Sequence, residues 1–532
     1  MSSTLIQSLY NEENLLHITG FVAVGVAAKL VHTILVWANQ GKGEDPWNRE
    51  GFKKIPVPSG KYPYFGHVIS MGKVPAFQVE KWHQESGPII HITLGIQHWV
   101  IISDPFIAHE LFSRNGIRAS GRQRHFFTHE IYTDGGNRGI LFNDTGKKWK
   151  NARGMALSIL SPKFVNRFTA VIEDMADDTL RTLKETSDKE GAVWPMPLLK
   201  LGTFSAITRS LFGKTAESLG EETFRTIAFL GEEVIRLAGP ENDIDSFFPK
   251  FSWLTKLSSE KKAMENVVTK RDIIYRKLIK DAVEGDVDCL AKNAYALKDE
   301  YNLSDMDLII IMSDLFAAGG DPIALSIAWL YAILPHYPEI QKKMCDEIDQ
   351  FIVKYGRIPS FSDREELPYV IAVMMENIRY RSITNFGIPH YATADIEFLE
   401  YFIPKGTVIM NSMHAMHMNP TVYEDAQKFM PERFLGCLKS WTTLSNGNIK
   451  DREMYAFGWG RRTCPGSHFA EVEIFNMSVR TLARYTVEPA LNTDGTPYYY
   501  DLDVVSTGLN LPPKEFRVRF VTRVDAPMII PS

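Results

Sequence analysis

The sequence predicts a mostly helical α+β fold preceded by one apolar N-terminal helix, and its patterning carries that reading in three places. Short β-like runs cluster early, at Ile89-Ile90-His91-Ile92-Thr93-Leu94 and Trp99-Val100-Ile101-Ile102. Long helical patterns with few breakers fill the middle, as in residues 173–183 and 221–237. Strand-like pieces return after residue 387 and at Phe516-Arg517-Val518-Arg519-Phe520. Runs of strands followed by a large helical block mark the α+β class.

At the amino end, residues 1–14 read as a short tail and residues 15–37 as a membrane anchor. About 20 apolar residues span a bilayer core. Lys29 and His32 lie toward the carboxyl-terminal side of the run, where long side chains can reach an interface. Glu12 and Glu13 precede it, while Lys42, Arg49, Lys53 and Lys54 follow it. Excess cations keep their side cytoplasmic. A cleaved signal peptide and a helix lying on the membrane are the rival readings, and the run is long for the first. Residues 38–63 read as a basic, proline-rich hinge, stiffest at Ile55-Pro56-Val57-Pro58-Ser59-Gly60-Lys61-Tyr62-Pro63. Residues 64–532 carry no second linker, low-complexity tract or repeat, and so form one catalytic domain.

The 532 residues are 45% hydrophobic, enough to bury a large core. A formal net charge of -5 without a basic stripe argues against a nucleic-acid partner. Cys289, Cys345, Cys437 and Cys464 show neither metal-finger nor disulfide-framework spacing, which fits a reducing, cytosol-facing compartment.

Function is concentrated in Phe457-Gly458-Trp459-Gly460-Arg461-Arg462-Thr463-Cys464-Pro465-Gly466. One cysteine sits on a glycine-rich turn, with the hydrophobic run of Phe469, Ala470, Val472, Ile474 and Phe475 behind it. Glycines let a backbone approach a bulky planar ligand. Backbone N–H groups and a following helix start favour the thiolate, and Arg462 adds a cation for an anionic group of that ligand. An axial haem thiolate needs this arrangement. A lone cysteine is more often a buried apolar side chain, but this stretch resembles the haem-binding loop of the cytochrome P-450 superfamily at every defining position.

The resemblance covers about residues 55 to 525 and implies the triangular, helix-rich haem-thiolate fold. It makes Cys464 the metal ligand of haem b, with Phe457, Gly458 and Gly466 against the cofactor. Trp149 and Arg153, four apart on one helix face, resemble the pair that holds the haem propionates, joined by Arg462, His390 and Arg122. Two buried carboxylates require charge-assisted donors. Glu376-Asn377-Ile378-Arg379 places an acid and an arginine at i and i+3, and with Arg433 it matches a buried network under the haem loop. A solvated helix pair is the plain alternative.

Residues 308–334 resemble the family's distal helix, interrupted at Phe316-Ala317-Ala318-Gly319-Gly320-Asp321-Pro322-Ile323. Gly319 and Gly320 are expected to open a bulge there, with Asp321 handling oxygen and protons. Pro322 stands where the family usually has threonine. Proline removes a backbone donor and kinks a helix, so the bulge should persist or grow. The alcohol that passes protons to dioxygen is lost, and Asp321, ordered water or a substrate hydroxyl must replace it. Pro322 as a mere shaper of the helix stays open beside that reading.

By position, residues 124–137, 237–251, 315–318, 383–388 and 506–509 are expected to wall the substrate site. Lys147, Lys148 and Lys150 form a basic patch suited to an acidic redox partner or to simple solvation. No flavin or nicotinamide fingerprint occurs, so electrons come from another protein. For an anchored member the family implies an NADPH-dependent reductase, with cytochrome b5 as a helper. Tyr401-Phe402-Ile403-Pro404-Lys405-Gly406-Thr407 resembles fungal microsomal members. That implies a single-pass protein of the endoplasmic reticulum with a cytosolic domain, oxidising a steroid, terpenoid or polyketide-like lipophile, or a fatty acid. A haem-thiolate isomerase, dehydratase or peroxygenase needing no external reductant, and a passive haem- or lipid-binding protein, are the rival readings.

Overall fold

The computed structural model describes residues 46–239, 242–251, 260–503, 505 and 510–529. The expected tail, the anchor and the first part of the hinge (1–45), together with wall residues 506–509, lie outside the described residues.

The alternation-poor, β-branched runs become β1 (Ile89–Leu94) and β2 (Gln97–Ile102), an antiparallel pair that is almost wholly buried. They belong to a five-stranded sheet of order β1-β2-β7-β4-β3, where β3 is Gly121–Arg122, β4 is His390–Tyr391 and β7 is Val408–Asn411. Strands β5 (Ile396–Phe398) and β6 (Tyr401–Ile403) form a hairpin, and β8 (Tyr485–Leu491), β9 (Pro497–Tyr498) and β10 (Val518–Thr522) a third sheet. One register matters for the site: β3 pairs with β4 so that Arg122 lies opposite His390.

The helical block is built from α1 (Lys147–Ile159), α2 (Thr169–Glu190), α3 (Pro195–Phe212), α4 (Glu221–Leu237), α5 (Glu260–Glu284), α6 (Asp305–Ile333), α7 (Pro338–Tyr355), α8 (Pro368–Tyr380) and α9 (Ser467–Leu482). Most are amphipathic surface helices. α6 is apolar all round because it is the core element, which is the expected reason for such a helix in a globular fold. Among the described residues it alone is long and apolar enough to cross a membrane, and 78% of its most apolar window is buried within the protein. Ser304 and Asp307 close a capping box at its start.

One expectation changes. The interruption expected around Gly319, Gly320 and Pro322 is absent: α6 runs unbroken from Asp305 to Ile333 with Pro322 inside it. Packing supplies the reason. A Cβ on Gly320 would lie 2.4 Å from the Phe204 ring and one on Gly319 2.9 Å from Ile207, so the glycines let α3 press against α6. Phe204 also stacks on Phe316 at 5.1 Å. The described part of the hinge, in turn, is fastened to the domain. Trp47 stacks on His91 at 3.8 Å, Pro56 O accepts the His91 N–H at 2.8 Å, and Ile55 is buried.

Candidate active site

The cysteine loop is shaped by two left-handed glycines. Gly458 has φ +77° and Gly460 φ +54°, and a Cβ on Gly460 would stand 2.2 Å from Phe112 O, so no other residue fits that approach. The turn delivers Cys464, whose N–H donates to Phe457 O at 2.7 Å, to the start of α9. Gly466 N–H points at Cys464 Sγ from 3.4 Å. Protein encloses the cysteine, yet its surface is exposed, because it forms part of the wall of an internal cavity of about 300 Å³. Burial pushes the thiol pKa up, while Gly466 N–H and Arg153 oppose that rise.

The same cavity is walled by Arg122, Arg153, Arg462 and His390. Among the described residues, the hydrogen bonds of the Arg462 guanidinium go to carbonyls, Ser120 O at 3.0 Å, Ile140 O at 3.2 Å and Asn143 O at 2.7 Å. Arg122 donates to Leu141 O at 2.8 Å and Ile388 O at 3.0 Å. Arg153 donates to Thr463 O, and His390 Nδ1 meets Ala119 O at 2.7 Å. Carbonyls satisfy N–H groups but neutralise no charge. Burial, then repulsion from Arg153, pulls the Arg122 pKa down to about 9. Burial and the Arg122 and Arg153 charges lower Arg462 well below its usual value. The nearby acid Asp144 is already engaged by the Arg122 backbone N–H at 3.3 Å and by His129 at 3.2 Å.

Crowded buried cations without a matching carboxylate are costly unless an anion joins them. A thiol on the wall of the same cavity and a glycine-lined approach complete the donor set. It fits a planar metal cofactor bearing two carboxylates, ligated through sulfur.

A family model for cytochrome P450 matches residues 56–520. This chain belongs to the cytochrome P450 family. Curated relatives include cytochrome P450 monooxygenase 253 of Postia placenta, 25% identical over 88% of this chain and 89% of that protein. Another is cytochrome P450 monooxygenase pgmC of Aspergillus terreus, 26% identical over 89% and 88%. Cytochrome P450 2E1 of Mesocricetus auratus is 27% identical over 88% and 94%. A solved zebra fish cytochrome P450 structure with progesterone aligns with TM-score 0.71 at 22% identity, over 84% of this chain and 99% of that one, and shares the fold. The P450s are oxidoreductases, and the family implies a haem with cysteine thiolate ligation, a redox partner, dioxygen and a substrate.

Against the P450 expectations, the structure sorts the site residues in three ways. Cys464, Phe457, Gly458, Gly466, Arg122, Arg153, Arg462, His390, Gly319 and Pro322 meet at one cavity. Trp149 does not reach it. Its indole donates to Ile140 O at 3.2 Å and lies under the Arg462 guanidinium at 4.2 Å, so it backs an arginine instead of facing the cavity. Asp321 and Gly320 are also off the cavity wall. Asp321 turns to Lys200, paired at 2.7 Å, and takes a hydrogen bond from Asn510 at 2.9 Å.

The proximal acid network is assembled as a buried cluster. Arg379 donates to Glu376 at 2.6 and 2.7 Å, Arg433 at 3.3 Å, and the Met430 N–H at 2.7 Å. Lys147, Lys148 and Lys150 are all exposed.

The substrate walls differ in part. Leu315 and Ala318 line the cavity, as do Ile383, Thr384, Phe386, Gly387 and Ile388. The described residues of 124–137 and 237–251 do not, because they pack on each other: His125 meets Gly239 O at 3.2 Å and Phe126 N–H donates to Asp243 at 3.2 Å. Ile140, Leu141, Ile207, Leu211 and Ile235 take their place.

Asp314, Asn411, Asn510 and Lys200 escape a sequence reading. Asp314 is a buried acid in the apolar run of α6, and burial of an acid requires partners. Its carboxylate accepts from Ile140 N–H at 2.6 Å, Leu141 N–H at 3.2 Å and Tyr132 O–H at 2.9 Å, clasping to α6 the loop that serves Trp149 and Arg462. Asn510 and Lys200 have no sequence signal, since only the fold brings them to Asp321.

Proposed function

We propose that this P450 is a membrane-anchored haem-thiolate monooxygenase that inserts one oxygen atom of dioxygen into a lipophilic substrate. A steroid, terpenoid or polyketide-like molecule is the first substrate class and a fatty acid the next. The observation that carries the reading is one cavity holding both the Cys464 thiol and the cluster of Arg122, Arg153 and Arg462, with an apolar wall facing them. Bound there, haem supplies the activation of dioxygen.

This chain's residues do the rest. Cys464 provides sulfur as the metal ligand, and loss of its proton on metal binding offsets the burial that raises its pKa. Arg122, Arg153, Arg462 and His390 take the propionates, with Trp149 supporting Arg462. Glu376, Arg379 and Arg433 brace the proximal side. Leu315, Ala318, Ile323, Ile383 and Phe386 exclude water and admit an apolar molecule, with Thr384 and Asn411 among the polar groups on the wall. Asp321 holds the proton supply beside the cavity. Electrons from NADPH reach the haem through a flavoprotein reductase of the same membrane, the endoplasmic reticulum, with cytochrome b5 as a second donor, and Lys147, Lys148 and Lys150 serve as the docking patch.

An optical titration tests this. The full-length ferric protein is titrated with steroids, terpenoids and fatty acids, then turned over with NADPH and reductase. A thiolate-type Soret band that shifts with one class, lost in Cys464→Ser, and NADPH-dependent product are expected. Product without NADPH would replace the monooxygenase reading with that of an isomerase, dehydratase or peroxygenase, and no haem band in a well-folded, haem-supplied protein would overturn the site.

A further inference from the structure

Asp321 is within one residue of the cavity wall but does not belong to it, so a proton held on its carboxylate needs a path inward. The helix cannot provide one by the usual side chain, because position 322 is proline and Ile323 has no hydroxyl. Asn510 is the residue that touches both sides. It lines the cavity, and its Nδ2 donates to Asp321 Oδ2 at 2.9 Å. It reaches this place through tertiary pairing: Asn510 bridges Thr384, and the next N–H, that of Leu511, donates to Ile383 O at 2.7 Å. Among the described residues, the Asn510 amide takes no hydrogen bond other than that to Asp321. An amide carries two N–H donors and a carbonyl acceptor, so one donor and the carbonyl are left for the cavity side.

Pro322 adds the second half of the site. With no N–H at 322, the carbonyl of Ala318, one turn back in α6, has no i+4 donor. Ala318 also lines the cavity. A buried polar group without a protein partner is where an ordered water sits, provided that two or more polar groups converge. On the other side of Asp321, Oδ1 pairs with Lys200 at 2.7 Å, and Lys200 pairs with Glu232 at 2.8 Å. The Lys200 and Glu232 side chains are 30% and 44% exposed, so this end of the chain opens to solvent.

We propose that Asn510 is a positioning residue that stands in for the hydroxyl missing at Pro322. It fixes the Asp321 carboxylate at the cavity edge and, with the freed Ala318 carbonyl, holds the water through which protons pass inward. Protons enter from solvent beside Lys200 and Glu232, reach the Asp321 carboxylate and pass from it to that water, while the Lys200 ammonium stays charged and holds the outer end of the carboxylate. The inference rests on the reading of the cavity as a dioxygen-reducing haem site. It adds a proton path positioned by a residue far from α6 in sequence.

The test compares full-length wild type, Asn510→Leu, Asn510→Gln and Asp321→Asn, reconstituted in vesicles with an NADPH-dependent flavoprotein reductase and no organic substrate. Dioxygen with two electrons and two protons gives hydrogen peroxide; with four of each it gives two waters. Peroxide formed per NADPH therefore reads proton delivery. Asn510→Leu is expected to lower the water-forming share about ten-fold, part of the about 10²–10⁴-fold that a positioned acid–base group supplies. Asn510→Gln, which keeps the amide, should recover part of it.

A second readout needs no turnover. With carboxyl-labelled aspartate, the infrared carboxylate band of Asp321, identified by its loss in Asp321→Asn, should shift in Asn510→Leu and stay near its wild-type position in Asn510→Gln. An unshifted band, or a shifted band with an unchanged peroxide share, overturns the proposal. Absence of NADPH consumption in the wild type, both alone and with each of the steroids, terpenoids and fatty acids, would defeat the monooxygenase reading instead, while the infrared comparison still supports or overturns the placement of Asp321 by Asn510.

Discussion

Replacing Glu376 with glutamine keeps the side chain's volume and removes its charge. In the folded protein the carboxylate receives Arg379 at 2.6 and 2.7 Å, Arg433 at 3.3 Å and the Met430 N–H at 2.7 Å. The Glu376 side chain is 0% exposed and that of Arg379 2%. The other Arg379 donors reach the carbonyls of His417, Ala426 and Lys428, which satisfy geometry without cancelling charge. Glutamine presents one oxygen and turns an NH₂ group toward a guanidinium, so the variant leaves a buried cation uncompensated. Breaking a buried pair from one side costs about 3–5 kcal/mol, a large part of the about 5–15 kcal/mol that holds a typical fold together.

The assay is urea unfolding of the haem-loaded protein, followed by the Soret band and by tryptophan fluorescence. The molecule contains its own control. Arg181 and Asp178 have the same i,i+3 spacing and a 2.8 Å contact, but their side chains are 67% and 53% exposed. Asp178→Asn should therefore cost under about 1 kcal/mol. If Glu376→Gln loses no more stability than Asp178→Asn, burial is not what gives this network its weight and the reasoning is refuted.

Two further outcomes follow from the geometry. A Cβ at Gly320 would meet the Phe204 ring at 2.4 Å, so Gly320→Ala should lower stability by about 1–3 kcal/mol through overpacking, whereas Gly146→Ala, with open space around it, should not; thermal unfolding of both decides. Burial raises the Asp314 pKa to about 6 from 3.8. The neutral carboxyl therefore contributes stability in full below pH 3.8, and that contribution is lost as pH rises through about 6. Wild type should become about 3 kcal/mol less stable across that window relative to Asp314→Asn, measured by urea unfolding at each pH.

What the sequence determined by itself is what is written in local pattern. The cysteine loop needs its glycines because Gly460 passes within a Cβ's reach of Phe112, and that demand is visible as a motif. Strands β1 and β2, the span of α4 and the Glu-x-x-Arg spacing are likewise periodic signals, as was the apolar α6. The tertiary structure decided everything that depends on a neighbour. Periodicity and proline chemistry predicted a break in α6, but packing against Phe204 and Ile207 keeps the helix whole. Trp149 fell on the right helix face, yet the Ile140 carbonyl took its N–H and turned it into a platform for Arg462. The wall expected at residues 124–137 is spent on contacts with the 237–251 segment, and Ile140 and Leu141 serve in its stead. Asn510 and Lys200 are separated from Asp321 by long stretches of chain, so no local rule links them to it. Chain propensities act over a few residues, whereas the charges, cavities and close contacts that make a site are set by segments that meet only once the core has formed.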